Sequence, residues 1–196
     1  MANNSRKFYQ GNAFLISVIA LTVIFLVIVI FLMWNPFKIR SYKGMKDIEA
    51  RDIFTIAQEK EIDNYYVFFY KSQSNCVACA EAEPFVVEYA ELARSNKDAK
   101  LKPIFVVDLS APGNKRVIAG EGDTSNLKNV TIYTDLKVLY TPTLIEISKG
   151  KVTNAWESKM TVLKELNNQI TKVTNTGLNL LPAEVIDFRR KDYAFN

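Results

Sequence analysis

Cys76 and Cys79 are the only two cysteines of this 196-residue chain, and they stand three apart in "SQSNCVACAEAEPF" (72–85). Three chemistries use such spacing: a structural staple, half of a metal site, and a pair that cycles between dithiol and disulfide. Histidine is absent, which removes the usual base beside a thiol nucleophile and the commonest transition-metal ligand. A zinc site would need carboxylates or a second chain to complete it, so no metal is expected. A staple closing so short a loop removes little entropy from the unfolded chain. The redox pair suits the placement better. A polar loop ends at Cys76 where an Ala- and Glu-rich helix begins, and the free amides of a helix N-terminus favour a thiolate. Cys76 is the expected nucleophile. Cys79, one turn further on, is placed to attack the mixed disulfide that Cys76 forms with a partner. Glu81 and Glu83 lie in the first helical turns and oppose a thiolate, which predicts a less acidic Cys76 than a strongly oxidising enzyme has.

Elements able to hold such a pair flank it. "YYVFFY" (65–70) is a short apolar run of the kind a buried central strand shows. Residues 79–94 read as helix and "PIFVVDLS" (103–110) as a second buried strand. A loop with several glycines and a proline follows (111–129), then "TLIEIS" (143–148), a "KG" turn and the hairpin partner "KVTNAW" (151–156). Leu163, Leu166, Ile170 and Val173 place one apolar face on a last helix, 159–173. Upstream, Ile48, Phe54, Ile56 and Ala57 among charged neighbours suggest an amphipathic helix over 45–61. Strands alternating with helices imply a parallel sheet covered on both faces, with an antiparallel edge from the hairpin.

With these elements in place the chain resembles the thioredoxin fold. Three matches carry the resemblance: Cys76-Val77-Ala78-Cys79 after a buried strand; Pro84, five residues past the second cysteine; and "LYTPTLIEISKGKV" (139–152). The resemblance implies a three-layer α/β/α domain with a mixed sheet of four to five strands. It also implies a cis Thr141–Pro142 bond, with Pro142 packed beside the cysteines and Thr141, Val77, Ala78 and Asn75 meeting a substrate polypeptide. No cofactor is implied beyond the Cys76–Cys79 pair itself. The departures are specific. Asn75 stands where the family has a tryptophan, Val77-Ala78 lacks the usual proline or histidine, and Phe68 or Phe69 replaces a buried aspartate on the first strand. The loop 111–129 is longer than in a minimal thioredoxin. The strand-and-motif run behind an N-terminal anchor is most similar to membrane-anchored thioredoxin-like proteins of Gram-positive bacteria, including accessory proteins of bacteriocin export.

The anchor is "AFLISVIALTVIFLVIVIFLMW" (13–34), which contains no charged residue. Its 22 residues at about 1.5 Å each span about 33 Å, enough for a hydrocarbon core of about 30 Å. The run is too long for a cleaved leader, and no small-x-small pattern follows it. The expected organisation is a tail (1–12), a transmembrane helix (13–34), a connector (35–44), the thioredoxin-like domain (45–173) and an extension (174–196). Lys38, Arg40, Lys43 and Lys46 follow the span against Arg6 and Lys7 before it, which taken literally puts the domain in the cytoplasm. A short charged amino tail and the needs of disulfide chemistry favour the extracytoplasmic side instead. Beyond the span, 23 basic residues face 21 acidic ones, a balance that does not suggest a nucleic-acid surface.

Two functions are compatible with these residues. One is a membrane-tethered thiol–disulfide oxidoreductase acting on cysteines of exported proteins and recycled by a membrane electron-transfer partner. The other is a thioredoxin-like structural or adaptor subunit of a secretion or conjugation assembly. The missing tryptophan and aspartate favour the second, and the retention of both cysteines favours the first. The extension, with Leu178, Leu180 and Leu181 and the aromatics Phe188, Tyr193 and Phe195, packs back on the domain or binds a partner.

Overall fold

The computed structural model describes residues 3–33, 38–72, 76–95 and 101–174. It divides into two compact units, Met1–Lys38 and Ile39–Asn196. The first is helix α1 (Asn3–Met33), which begins ten residues before the run read as the span. Its stretch Ala13–Phe31 is, among the described residues, the one helix long and apolar enough to cross a membrane, and none of it is buried. Only two side chains there need polar partners of their own. Ser17 Oγ donates to Ala13 O at 2.8 Å and Thr22 Oγ1 to Val18 O at 2.9 Å, so both hydroxyls are satisfied inside the helix, as a solvent without hydrogen bonds requires. The predicted end of the span at Trp34 lies outside the described residues.

The second unit is built on a four-stranded sheet, in the order β2-β1-β3-β4. Its elements are α2 (Ile56–Lys60), β1 (Asn64–Tyr70), α3 (Val77–Ser95), β2 (Ile104–Asp108), β3 (Thr143–Ser148), β4 (Lys151–Glu157) and α4 (Lys159–Thr174). β1 runs parallel to β2 and antiparallel to β3, with Phe68 opposite Val106 and Leu144. β3 and β4 pair antiparallel. The sheet is therefore mixed, with one parallel pairing rather than a parallel body.

Strand alternation sorts the apolar residues of β1 into two layers. Tyr66, Phe68 and Tyr70 face α3 and α4, in a core with Cys79, Val86, Tyr89, Leu163 and Leu166. Tyr65, Val67 and Phe69 face the opposite core with Ile53, Ile56, Phe105, Val117 and Leu136. That second face is where the expected helix over 45–61 is corrected. The segment forms a 3-10 turn (Ala50–Asp52) and the short α2. Ahead of them, Ile48 N–H donates to Val106 O and Val106 N–H to Lys46 O, each at 3.0 Å. Val106 sits on the free edge of β2, and its backbone groups need partners. Asp47 supplies a parallel bridge there, which a helix could not. The long segment after β2 covers the rest of this face with a 3-10 helix (Pro112–Val117), a 3-10 turn (Tyr133–Asp135) and the bridges Ile118–Val138 and Asn126–Lys137. The extension after residue 174 lies outside the described residues.

Candidate active site

The site forms where β1 ends and α3 begins. Cys76 O accepts the amides of Cys79 and Ala80, each at 3.1 Å, so Cys76 occupies the cap position of α3. The Cys79 amide also points at Cys76 Sγ, 3.2 Å away. Cys76 and Cys79 are joined as a disulfide, with Cα atoms 5.2 Å apart. Their surroundings differ. Cys76 is half-buried, whereas Cys79 is 2% exposed inside the core under α3. The outer sulfur is thus the reachable one, and it carries an amide donor and the positive end of a helix. Both features stabilise negative charge on that sulfur once the bond is opened. Val77 is 66% exposed and Ala78 half-buried, so the inner dipeptide borders the opening. Asn75 lies outside the described residues.

Pro142 reaches this place from far along the chain. The Thr141–Pro142 peptide bond is cis, and Pro142 is buried. Its loop is held at both ends: Thr143 Oγ1 donates to Tyr140 O at 2.8 Å, and Ser158 N–H to Pro142 O at 3.1 Å. Thr141 O lies 3.7 Å and Thr141 Oγ1 3.6 Å from Cys76 Sγ. A disulfide sulfur has no proton to donate, so in this state these are packing contacts. A reduced Cys76 would have both oxygens within reach of its S–H.

The two carboxylates expected to oppose a thiolate are both engaged. Glu81 is ion-paired with Lys159 of α4. Glu83 accepts the Tyr42 amide on Oε1 at 2.8 Å. Phe68 is the fully buried residue that shares the cysteine-side core, whereas Phe69 faces the other layer. The strand position beneath the pair is therefore apolar.

Two participants were not legible beforehand. Residues 35–44 read as a connector, yet Tyr42 is 5% exposed, its hydroxyl donates to Cys79 O at 2.8 Å, and its ring lies 4.4 Å from Tyr70 and 5.3 Å from Phe68. The segment from Ile39 to Met45 is thus a strap across α3, and the Ile39 amide also meets Glu91. Burial, then the charge of Glu83, pushes the Tyr42 hydroxyl far above its ordinary value, so it remains a donor. Asp108, at the end of β2, accepts the Ser72 amide at 3.1 Å and the Ser110 amide at 2.8 Å, and also meets Ser72 Oγ. Burial alone would raise its pKa, but the bonds from Ser72 and Ser110 outweigh burial and hold it below the usual carboxylate value. The only sign of this clamp in the sequence is an aspartate ending an apolar strand. A cleft of about 240 Å³ beside the disulfide is lined by Tyr42, Lys43, Tyr70, Lys71 and Glu83 together with both cysteines. Among the described residues no cluster of three or more His, Cys, Asp or Glu is arranged to hold a metal.

No family model and no curated protein matches the chain. Solved structures give faint likenesses. Thioredoxin f2 of Chlamydomonas reinhardtii is 12% identical, with 68% of this chain and 99% of that one covered and a TM-score of 0.41. The short form of spinach chloroplast thioredoxin f is 13% identical over 63% and 91%, with a TM-score of 0.41. Mitochondrial thioredoxin 3 of Saccharomyces cerevisiae, in its oxidized form, is 11% identical over 69% and 98%, with a TM-score of 0.38. Strand order, register and the placement of the pair define the fold independently of these likenesses. It is thioredoxin-like, with a Cys-x-x-Cys disulfide at the mouth of α3.

Proposed function

We propose that the chain is a thiol–disulfide oxidoreductase, tethered to a cell membrane by residues 13–34, that acts on cysteines of exported or surface proteins. The observation that carries the reading is the asymmetry of the pair: a reachable Cys76 sulfur that accepts the Cys79 amide at 3.2 Å, above a Cys79 that is 2% exposed. Acting as a reductant, Cys76 thiolate attacks one sulfur of a substrate disulfide and the other substrate sulfur leaves as thiolate. Cys79 thiolate then attacks Cys76, releasing the substrate. The pair gives up two electrons and the substrate takes them. Acting as an oxidant, a substrate thiolate attacks Cys76 of the disulfide and Cys79 leaves, and a second substrate thiolate completes the exchange.

In this reading Thr141 and Pro142, with Asn75, Val77 and Ala78, meet the substrate chain, and a membrane electron-transfer partner resets the pair. The extracytoplasmic side is favoured because disulfides persist where the surroundings are oxidising. The anchor followed by this motif supports kinship with membrane-anchored thioredoxin-like proteins of Gram-positive bacteria. The test is reduction of insulin disulfides, and oxidation of reduced ribonuclease, by the full chain in a non-ionic detergent. The wild type should reduce insulin with a dithiol supply, and Cys76→Ser should abolish the activity. A folded chain with no turnover in either direction would instead support the adaptor role.

A further inference from the structure

The opening around Cys76 is charged on one side and apolar on the other. On the cleft side stand Lys43, which is exposed, and Lys71, which is half-buried. Neither has an ion-pair partner among the described residues. The acids nearby hold partners within the chain: Glu83 the Tyr42 amide, Glu81 the Lys159 ammonium, and Asp108 the Ser72 and Ser110 amides. Of these only Glu83 lines the cleft, and its charge, with those of Asp108 and Asp47, is felt at Tyr70. The two lysines therefore face one carboxylate inside the cleft. Residues 38–46 carry Lys38, Arg40, Lys43 and Lys46 and no acid. Lys46 is turned away over the Phe105 ring. On the other side Val77 and Tyr140 are 66% and 57% exposed. They adjoin Cys76 and Thr141, whose atoms touch at 3.6 Å. Among the described residues neither lysine is tied to an acid, so both ammonium groups are free to meet an incoming negative charge beside Cys76.

We propose that Lys43 and Lys71 select substrates: the cleft takes an acidic polypeptide segment on one side of the target cysteine, while Val77 and Tyr140 take apolar residues on the other. This rests on the oxidoreductase reading and names its substrate class. The effect acts on encounter and orientation, because charges lining a concave site raise association rates by about tenfold or more at low salt. It fades as the screening length falls from about 10 Å at 0.1 M salt to about 3 Å at 1 M.

The experiment uses the reduced full chain in non-ionic detergent and three cysteine peptides. Each peptide is activated as a disulfide with 2-thiopyridine, and they differ only in whether Asp, Asn or Lys flanks the cysteine. Cys76 thiolate attacks the peptide sulfur and expels pyridine-2-thione. Cys79 then releases the peptide thiol and closes the disulfide, so two electrons pass from the pair to the activated peptide. The readout is the ratio of Asp-peptide to Lys-peptide rates, in which any general change in Cys76 reactivity cancels. The wild type should give a ratio of about ten at low salt, falling toward one at about 1 M salt. Lys43→Glu/Lys71→Glu should invert it, and the milder Lys43→Gln/Lys71→Gln should bring it near one. A wild-type ratio near one, or a ratio that neither double variant changes, overturns the proposal. The ratio would also stay near one if anionic lipid rather than substrate were the partner of these lysines. Failure of the reduced wild type to reduce the uncharged bis(2-hydroxyethyl) disulfide, together with failure of the oxidised wild type to oxidise 2-mercaptoethanol, would sink the oxidoreductase reading itself, independently of charge.

Discussion

Replacing Tyr42 by phenylalanine removes one hydroxyl and leaves the backbone amide bond to Glu83 in place. The lost bond is Tyr42 Oη–H to Cys79 O, 2.8 Å long and buried. Cys79 lies within α3, so its carbonyl keeps the helical amide four residues on. It is not orphaned, and the cost is therefore that of one net hydrogen bond, about 1 kcal/mol, rather than that of a stranded buried acceptor. Tyr42→Ala also removes a ring packed 4.4 Å from Tyr70 and 5.3 Å from Phe68, and the expected loss rises to about 3–5 kcal/mol, as for other buried aromatic truncations. Urea unfolding of the oxidised full chain in detergent, in a Trp34→Phe background and followed by the fluorescence of Trp156, whose ring lies 6.0 Å from Tyr66 in the same core, reads both values. A Tyr42→Ala variant within about 0.5 kcal/mol of wild type would refute the reasoning, because residues 39–45 would then be a loose connector and not a strap over the site.

Cys79→Ser should leave Cys76 without its resolving partner, so a mixed disulfide with a substrate peptide accumulates and maps to Cys76 by mass spectrometry; the same trapping by Cys76→Ser would reverse the assigned roles. Five tyrosines, 42, 65, 66, 70 and 89, are pushed upward first by burial, Tyr65 and Tyr70 to about 12. Their folded values exceed the ordinary 10.0, so the stability they contribute is whole below that pH and is lost as pH rises through the folded values. Absorbance titration should show them ionising only with unfolding; free titration near pH 10 in a folded chain would contradict the packing. Asp108 has the opposite sign. Burial raises it, the bonds from Ser72 and Ser110 prevail, and its contribution is present above the unfolded value of 3.8 and lost as pH falls through the lower folded one. Asp108→Asn should flatten the acid limb of the stability profile, and an unchanged limb would exclude the clamp.

What could be read from the sequence was whatever a short pattern enforces. The run 65–70 is apolar on both faces because β1 is central, with β2 and β3 beside it and a core on each side. Cys76-Val-Ala-Cys79 and the 139–152 stretch locate the two halves of the site because each is a local motif at a strand end. Residues 45–61 misled because their apolar positions fit helical spacing, and only the need of Val106 for edge partners draws 46–48 into extended form. Tyr42 was hidden for a different reason. A lone aromatic beside lysines after a span suits a membrane interface equally well, and its burial depends on Tyr70 and Cys79, which lie far along the chain. The Asp108–Ser72 clamp is likewise a tertiary contact between two strand ends and leaves no periodic trace.

The central claim is that the Cys76–Cys79 bond opens and closes as part of function. The most direct measurement is the dithiol–disulfide equilibrium of the full chain across a series of glutathione buffers, quenched by alkylation and read by mass spectrometry. A working redox pair should pass through one two-electron transition between about −120 and −270 mV, the range spanned by thioredoxin-fold oxidoreductases. A bond still closed in buffers below about −300 mV would behave as a structural staple and contradict the account.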